Sequence, residues 1–256
     1  MNTLLAEILS LSQSALLVGF VVFLRIGAAM SLLPAFGERS VPIRIRLGIT
    51  VAFTLIVAPA AAPSLMRVIE SGSKLYLVTE TIAGLAIGIV VRLFVITLQV
   101  AGSIAAQSTS LSQLFGAASV EPAPAMGHLM VIAGLALAVS TGLHVRLAEL
   151  LLYSYDVLPA GQFPRPDSWV SWGVSRVSYG FGLAFALAAP FVIASLIYNV
   201  ALGVINKAMP QLMVAFVGAP AITAGGLILL ALTTPYLLSV WIGALNGFLT
   251  DPFGAP

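Results

Sequence analysis

From Leu212 to Thr250 the chain runs for 39 residues without a charged side chain. As helix, at about 1.5 Å per residue, the stretch would measure about 58 Å, nearly twice the roughly 30 Å hydrocarbon core of a bilayer. A single straight span cannot use all of it. Pro220 and Pro235 each remove a helix hydrogen bond and Gly225-Gly226 loosens the backbone between them, so the expectation is a bent helix or a hairpin.

Five further apolar segments precede it, at about Leu11–Leu33, Leu47–Met66, Leu75–Ala106, Leu129–Tyr153 and Trp172–Val200. Each is long enough to cross a membrane, which takes roughly 20 helical residues. The joints between them hold most of the charge. With 60% hydrophobic and 8% charged residues over 256 positions, this is a membrane-class chain. The expected fold is all-α, about six hydrophobic segments arranged as bent or broken hairpins. No repeat, low-complexity tract or soluble insertion interrupts them, so residues 1–256 are read as one unit. "MNTLLAEILSLSQSALLVGFVVFLR" has no Lys or Arg ahead of its apolar run, and is read as a retained helix rather than a cleaved signal.

Charge inside such segments is expensive. Arg25 and Arg92 both sit well within apolar stretches, where insertion costs about 2.5–3.5 kcal/mol per basic residue, so both should face protein or water. Arg146 and Arg176 lie nearer segment ends and are expected to snorkel. Basic residues in alternate loops divide as Arg39, Arg44, Arg46 and Lys207 against Arg67, Lys74 and Arg165, which leaves the orientation undecided. Gly84 with Gly88, and Gly243 with Gly247, have the spacing that lets helix backbones approach closely, which serves packing within the chain or against another.

The sequence points away from catalysis. There is no cysteine, no HExxH and no GxSxG, and neither an enzyme activity nor a cofactor is expected. Glu80, Glu149 and His144 could in principle relay protons, but they lie near segment ends and read as solvated charges. A net charge of +2 is too small to suggest nucleic acid.

Residues 206–220, "NKAMPQLMVAFVGAP", place Pro210 and Gln211 where the last segment begins, with Gly218 and Pro220 after them. This stretch resembles the Pro-Gln-Leu-Asn signature and following Gly-x-Pro of the FliR family of flagellar type III export-gate proteins, whose relatives in virulence secretion share the Pro-Gln part. The N-terminal third is similar to the same family at Arg25, Pro34, Gly37, Val41-Pro42, Arg46 and Pro59; the chain departs from the family pattern at Met213, Ala215 and Ala219, after the Pro-Gln pair, and in the middle loop. The resemblance implies a subunit that assembles with FliP-like and FliQ-like membrane proteins, and with an FlhB-like switch subunit, into a helical gate. It also implies a pore passing unfolded export substrates at the basal body in the inner membrane, with lipid as a further neighbour. Pro210 would end one helical arm there, with Gln211 bonding the freed backbone groups; a loop proline with a solvated glutamine is the alternative.

Two further groups gain a role under that implication. Gln99, Ser103, Gln107 and Ser110 recur at helical spacing with no charge among them, fit either for a neutral pore wall or for bonds between helices. Ser108 to Glu121, with Ser110, Leu111, Gln113, Leu114, Phe115 and Gly116, is uncharged up to Glu121 and able to plug a pore; a locally packed loop is the alternative. Met126, Met130, Met209 and Met213 serve as a deformable seal or as ordinary filler. A small-solute transporter, the equivalent gate subunit of a virulence type III secretion system and a structural anchor of the basal body remain the rival readings.

Overall fold

The computed structural model describes residues 2–38, 41–70, 74–109, 125–209 and 214–254. Among them the chain forms seven helices and no strand: α1 (Asn2–Met30), α2 (Ile43–Glu70), α3 (Tyr76–Thr109), α4 (Ala125–Ser140), α5 (Leu143–Val157), α6 (Pro166–Ala208) and α7 (Val214–Thr250). Stretches of α1, α2, α3, α6 and α7 are long and apolar enough to span a membrane, and α4 with α5, bent by 74° at their junction, has the length and composition of a broken span or a re-entrant loop.

Two expectations about helix breaks change places. The segment expected from Leu129 to Tyr153 is divided at Thr141-Gly142, where Gly142 takes the left-handed conformation, φ 90°, that glycine adopts without strain. The final segment, expected to be a bent helix or a hairpin, is one helix continuous through Gly225-Gly226 and Pro235, which excludes the hairpin. Thr233 and Thr234 donate back to Leu229 O at 2.7 Å and Leu230 O at 2.6 Å in the turn before Pro235, a back-bonding that often bends a helix without ending it. At 43 residues, α6 also exceeds by about twofold the length a span requires, with Pro190 inside it.

The chain divides into two compact units. The first comprises Met1–Leu93, Val139–Val177 and Asn246–Pro256. Its core rests on the buried face of α1, including Val18, Val22, Ile26, Ala29 and Leu33. Gly84 and Gly88 of α3 press on that helix: a Cβ at Gly84 would lie 2.1 Å from Arg25 O, and one at Gly88 2.8 Å from Ala29 O. This glycine pair therefore serves packing within the chain. The loop after α1 is pinned from two sides. Arg46 donates to Phe36 O at 3.2 Å and Glu38 O at 3.0 Å, while Arg92 donates to Leu32 O at 3.4 Å.

The second unit comprises Phe94–Ala138 and Ser178–Leu245. Here α3 crosses α4 at Gly102 and Gly127, so closely that a Cβ on Gly102 would lie 2.2 Å from Gly127 Cα. Trp241, 1% exposed, donates its indole N–H to Phe94 O at 2.8 Å and packs beside Gly134. Leu98, Ala105, Met130 and Phe191 are fully buried in this unit, so Met130 is core filler.

Candidate functional site

The most polar buried cluster lies in the first unit and centres on Arg25. Its guanidinium donates from Nε to Glu80 Oε2 and from Nη2 to Glu80 Oε1, both at 2.8 Å. Nη1 donates to Ser154 Oγ at 3.0 Å, and Nη2 also donates to Leu158 O at 2.8 Å. The face of the Tyr155 ring covers the cation, 3.8 Å from Cζ to ring centroid. Three helices supply these groups: α1 the cation, α3 the carboxylate, α5 the hydroxyl and ring. A planar fork with several donors suits such a site, because each N–H taken from water must find an acceptor.

Glu80 corrects the sequence reading. Five residues into its segment, it was expected to be a solvated helix-end charge, yet it has no exposed surface. Arg25 explains the difference, since its guanidinium gives both carboxylate oxygens a donor in place of water and so offsets part of the cost of burying the charge. The signal available in sequence was the coexistence of one basic and one acidic residue inside neighbouring apolar segments.

Arg92 sits differently. Its side chain is 34% exposed and lies 3.6 Å from a Glu38 carboxylate oxygen, so it belongs to the rim of the unit, securing the loop after α1. Arg176 was expected to snorkel but is buried. It donates to Pro252 O at 3.2 Å and to Gly254 O, over the ring of Phe248 at 5.2 Å. Trp172 donates to the same Pro252 O at 2.9 Å and stacks on Phe253 at 5.5 Å. No motif marked this clamp in the sequence, because its acceptors are backbone carbonyls. Arg146 is half-buried, while His144 and Glu149 are exposed.

In the second unit, α3 places Gln99 and Gln107 on its exposed surface with Ser103 half-buried between them. Ser108 lies one residue before the end of the helix. Its carbonyl accepts from Ser195 Oγ at 2.5 Å, and Asn199 Nδ2 donates to that hydroxyl at 3.2 Å. Thr109 closes the helix under Gly226 of α7, where a Cβ would come within 2.7 Å of its methyl group. Ser195 and Asn199 escaped the sequence reading because a serine and an asparagine four apart on an apolar helix carry no signature. The remaining plug candidates, Ser110, Leu111, Gln113, Leu114, Phe115 and Gly116, lie outside the described residues, as do Pro210 and Gln211. Gly218 is buried on α7, its carbonyl accepting from Tyr198 Oη at 2.7 Å; Pro220 lies within the same helix.

Neither cluster has the parts of a nucleophile or a general base pair. What they offer is mechanical: a desolvated ionic tie joining three helices, and a neutral polar helix face ending at an anchored terminus.

The family model for bacterial export proteins, family 1, matches residues 16–248. The chain belongs to that family. Its relatives include the flagellar biosynthetic protein FliR of Caulobacter vibrioides, 31% identical over 228 residues, which is 88% of this chain and 91% of the relative. The protein of the same name from Escherichia coli is 28% identical over 219 residues, 84% of this chain and 83% of the relative. That from Bacillus subtilis is 27% identical over 219 residues, 82% and 83% of the two chains. The export-family match takes in Arg25, Glu80, the α3 polar face and Ser195, and stops short of Pro252 and Gly254.

Proposed function

We propose that this chain is a subunit of the flagellar type III protein export gate, helping to form the pore through which unfolded flagellar proteins cross the inner membrane. The observation that carries the proposal is membership of an export-protein family over nearly the whole chain, with relatives named for flagellar biosynthesis. That breadth favours reading residues 1–256 as one export-gate domain with no enzymatic step. The uncharged face of Gln99, Ser103 and Gln107 supports the pore part of the reading, since fixed charge on a wall would hold some passing chains and repel others. Helices longer than a span, with many exposed large apolar side chains such as Leu232 and Leu196, suit a chain that packs mainly against other membrane subunits. FliP-like and FliQ-like proteins and an FlhB-like switch subunit are the partners proposed, at the flagellar basal body.

Purification from its own membrane in mild detergent, with mass measurement of the intact complex, tests the assignment. A complex with such subunits is expected, together with aggregation of the chain expressed alone. A stable solitary protein that binds a small solute would establish a transporter instead. Within the gate, Ser108 to Glu121 is proposed as the plug. Deleting Ser110 to Ala117 should then leave assembly intact and make cells leak ions, with a weaker leak from serine at Leu114 and Phe115. Pro210→Ala should impair assembly more than export by gates that do assemble.

A further inference from the structure

In the first unit, the loop after α5, the first turns of α6 and Phe253 enclose a cavity of about 430 Å³, within the roughly 300–1,000 Å³ usual for small-molecule sites. Gln162, Phe163, Arg165, Trp169, Trp172 and Phe253 form the part of its wall that matters here. Trp169 and Trp172 stand 6.1 Å apart between ring centroids, and Phe253 continues the aromatic wall from Trp172. Arg165 is the one charged residue of the lining. It is exposed, and the two ion pairs among the described residues, Arg25 with Glu80 and Arg92 with Glu38, do not engage it.

We propose that this cavity holds the headgroup of an anionic phospholipid. The cavity opens where a helix of membrane-spanning length begins, the depth at which tryptophan is favoured and lipid phosphates lie. A guanidinium in no ion pair among the described residues matches a phosphate by paired N–H donors, and Gln162 adds an amide for glycerol or headgroup hydroxyls. The next face of α6 supplies what a lipid needs and a free anion does not. Val170, Val174 and Val177 are exposed by 66%, 64% and 43% and recur at helical spacing, leading from the helix start into the span as a track for an acyl chain. The proposal depends on the membrane character of the chain, not on its part in export.

The full chain, purified in the complex it is extracted in, should retain phosphatidylglycerol over phosphatidylcholine when both are added before native mass spectrometry. Arg165→Gln should lower phosphatidylglycerol retention by about tenfold or more, the loss of one charge-assisted contact, while Arg67→Gln, an exposed arginine elsewhere, leaves it unchanged. Circular dichroism checks that both variants keep their helicity. Millimolar inorganic phosphate should not displace the lipid. Equal retention of the two lipids, or of wild type and Arg165→Gln, would overturn the proposal. So would displacement by phosphate, or crosslinks from this wall to a protein subunit in place of lipid.

Discussion

Arg25 and Glu80, 55 residues apart in the chain, face each other through two hydrogen bonds of 2.8 Å with 1% or less of either side chain exposed. The pair ties α1 to α3, and Ser154 and Leu158 extend the tie to the end of α5. Removing one partner strands a charge without water. Arg25→Met or Glu80→Leu alone should therefore cost about 3–5 kcal/mol, whereas the two together should cost far less. A double-mutant cycle on thermal unfolding of the detergent-solubilised complex checks this; additive losses would mean the two residues act separately.

The two glycine pairs should respond in opposite ways. Gly84→Ala puts a methyl group into the backbone of α1 at Arg25 and should destabilise the unit by about 1–3 kcal/mol, as overpacking does. Gly243 has open space where its Cβ would be, so Gly243→Ala should leave stability within about 0.5 kcal/mol of wild type or slightly above it. Melting temperatures of the two variants, measured side by side, make the comparison.

The turn at Asp251–Gly254 is held by α6 from two side chains. Trp172→Phe keeps an aromatic ring against Phe253 and loses the bond to Pro252 O, for an expected cost of about 0.5–1.5 kcal/mol. Arg176→Met loses two carbonyl contacts and should loosen the turn further. Amide hydrogen exchange at Gly254, whose N–H is held by Asp251 Oδ1 at 2.9 Å, should quicken in both variants and more in Arg176→Met. Unchanged exchange would show that the turn is stable without α6.

The sequence made the six hydrophobic segments legible because hydropathy over 20 or more residues is a property of the segment itself. Where a helix breaks was less legible. Proline and glycine pairs foretold a bend or a hairpin in α7, which stays one helix, while Gly142, one glycine among 23, divides α4 from α5. Arg25 could be singled out because its cost in the membrane is fixed by its own chemistry. Glu80 could not, since its burial depends on Arg25, Ser154 and Tyr155 arriving from other helices. The same holds for Ser195, whose hydroxyl has meaning only beside the carbonyl of Ser108.

The absence of cysteine from the chain makes the α3 face directly testable, because any introduced thiol is the sole one. In the chain released from its complex into detergent after co-expression with its partners, Gln99→Cys and Gln107→Cys should react with a water-soluble maleimide. Leu98→Cys and Ala105→Cys, at fully buried positions of the same helix, should react about a hundredfold or more slowly, since reaction there requires local opening. The assembled complex then separates the two uses open to a neutral polar face. As a pore wall, positions 99, 103 and 107 stay reactive in the complex, and a transiting chain arrested in the gate protects them. As a bonding surface between helices, they become protected on assembly whether or not a substrate is present. Protection that follows assembly alone would remove Gln99, Ser103 and Gln107 from the channel and assign them to a subunit contact.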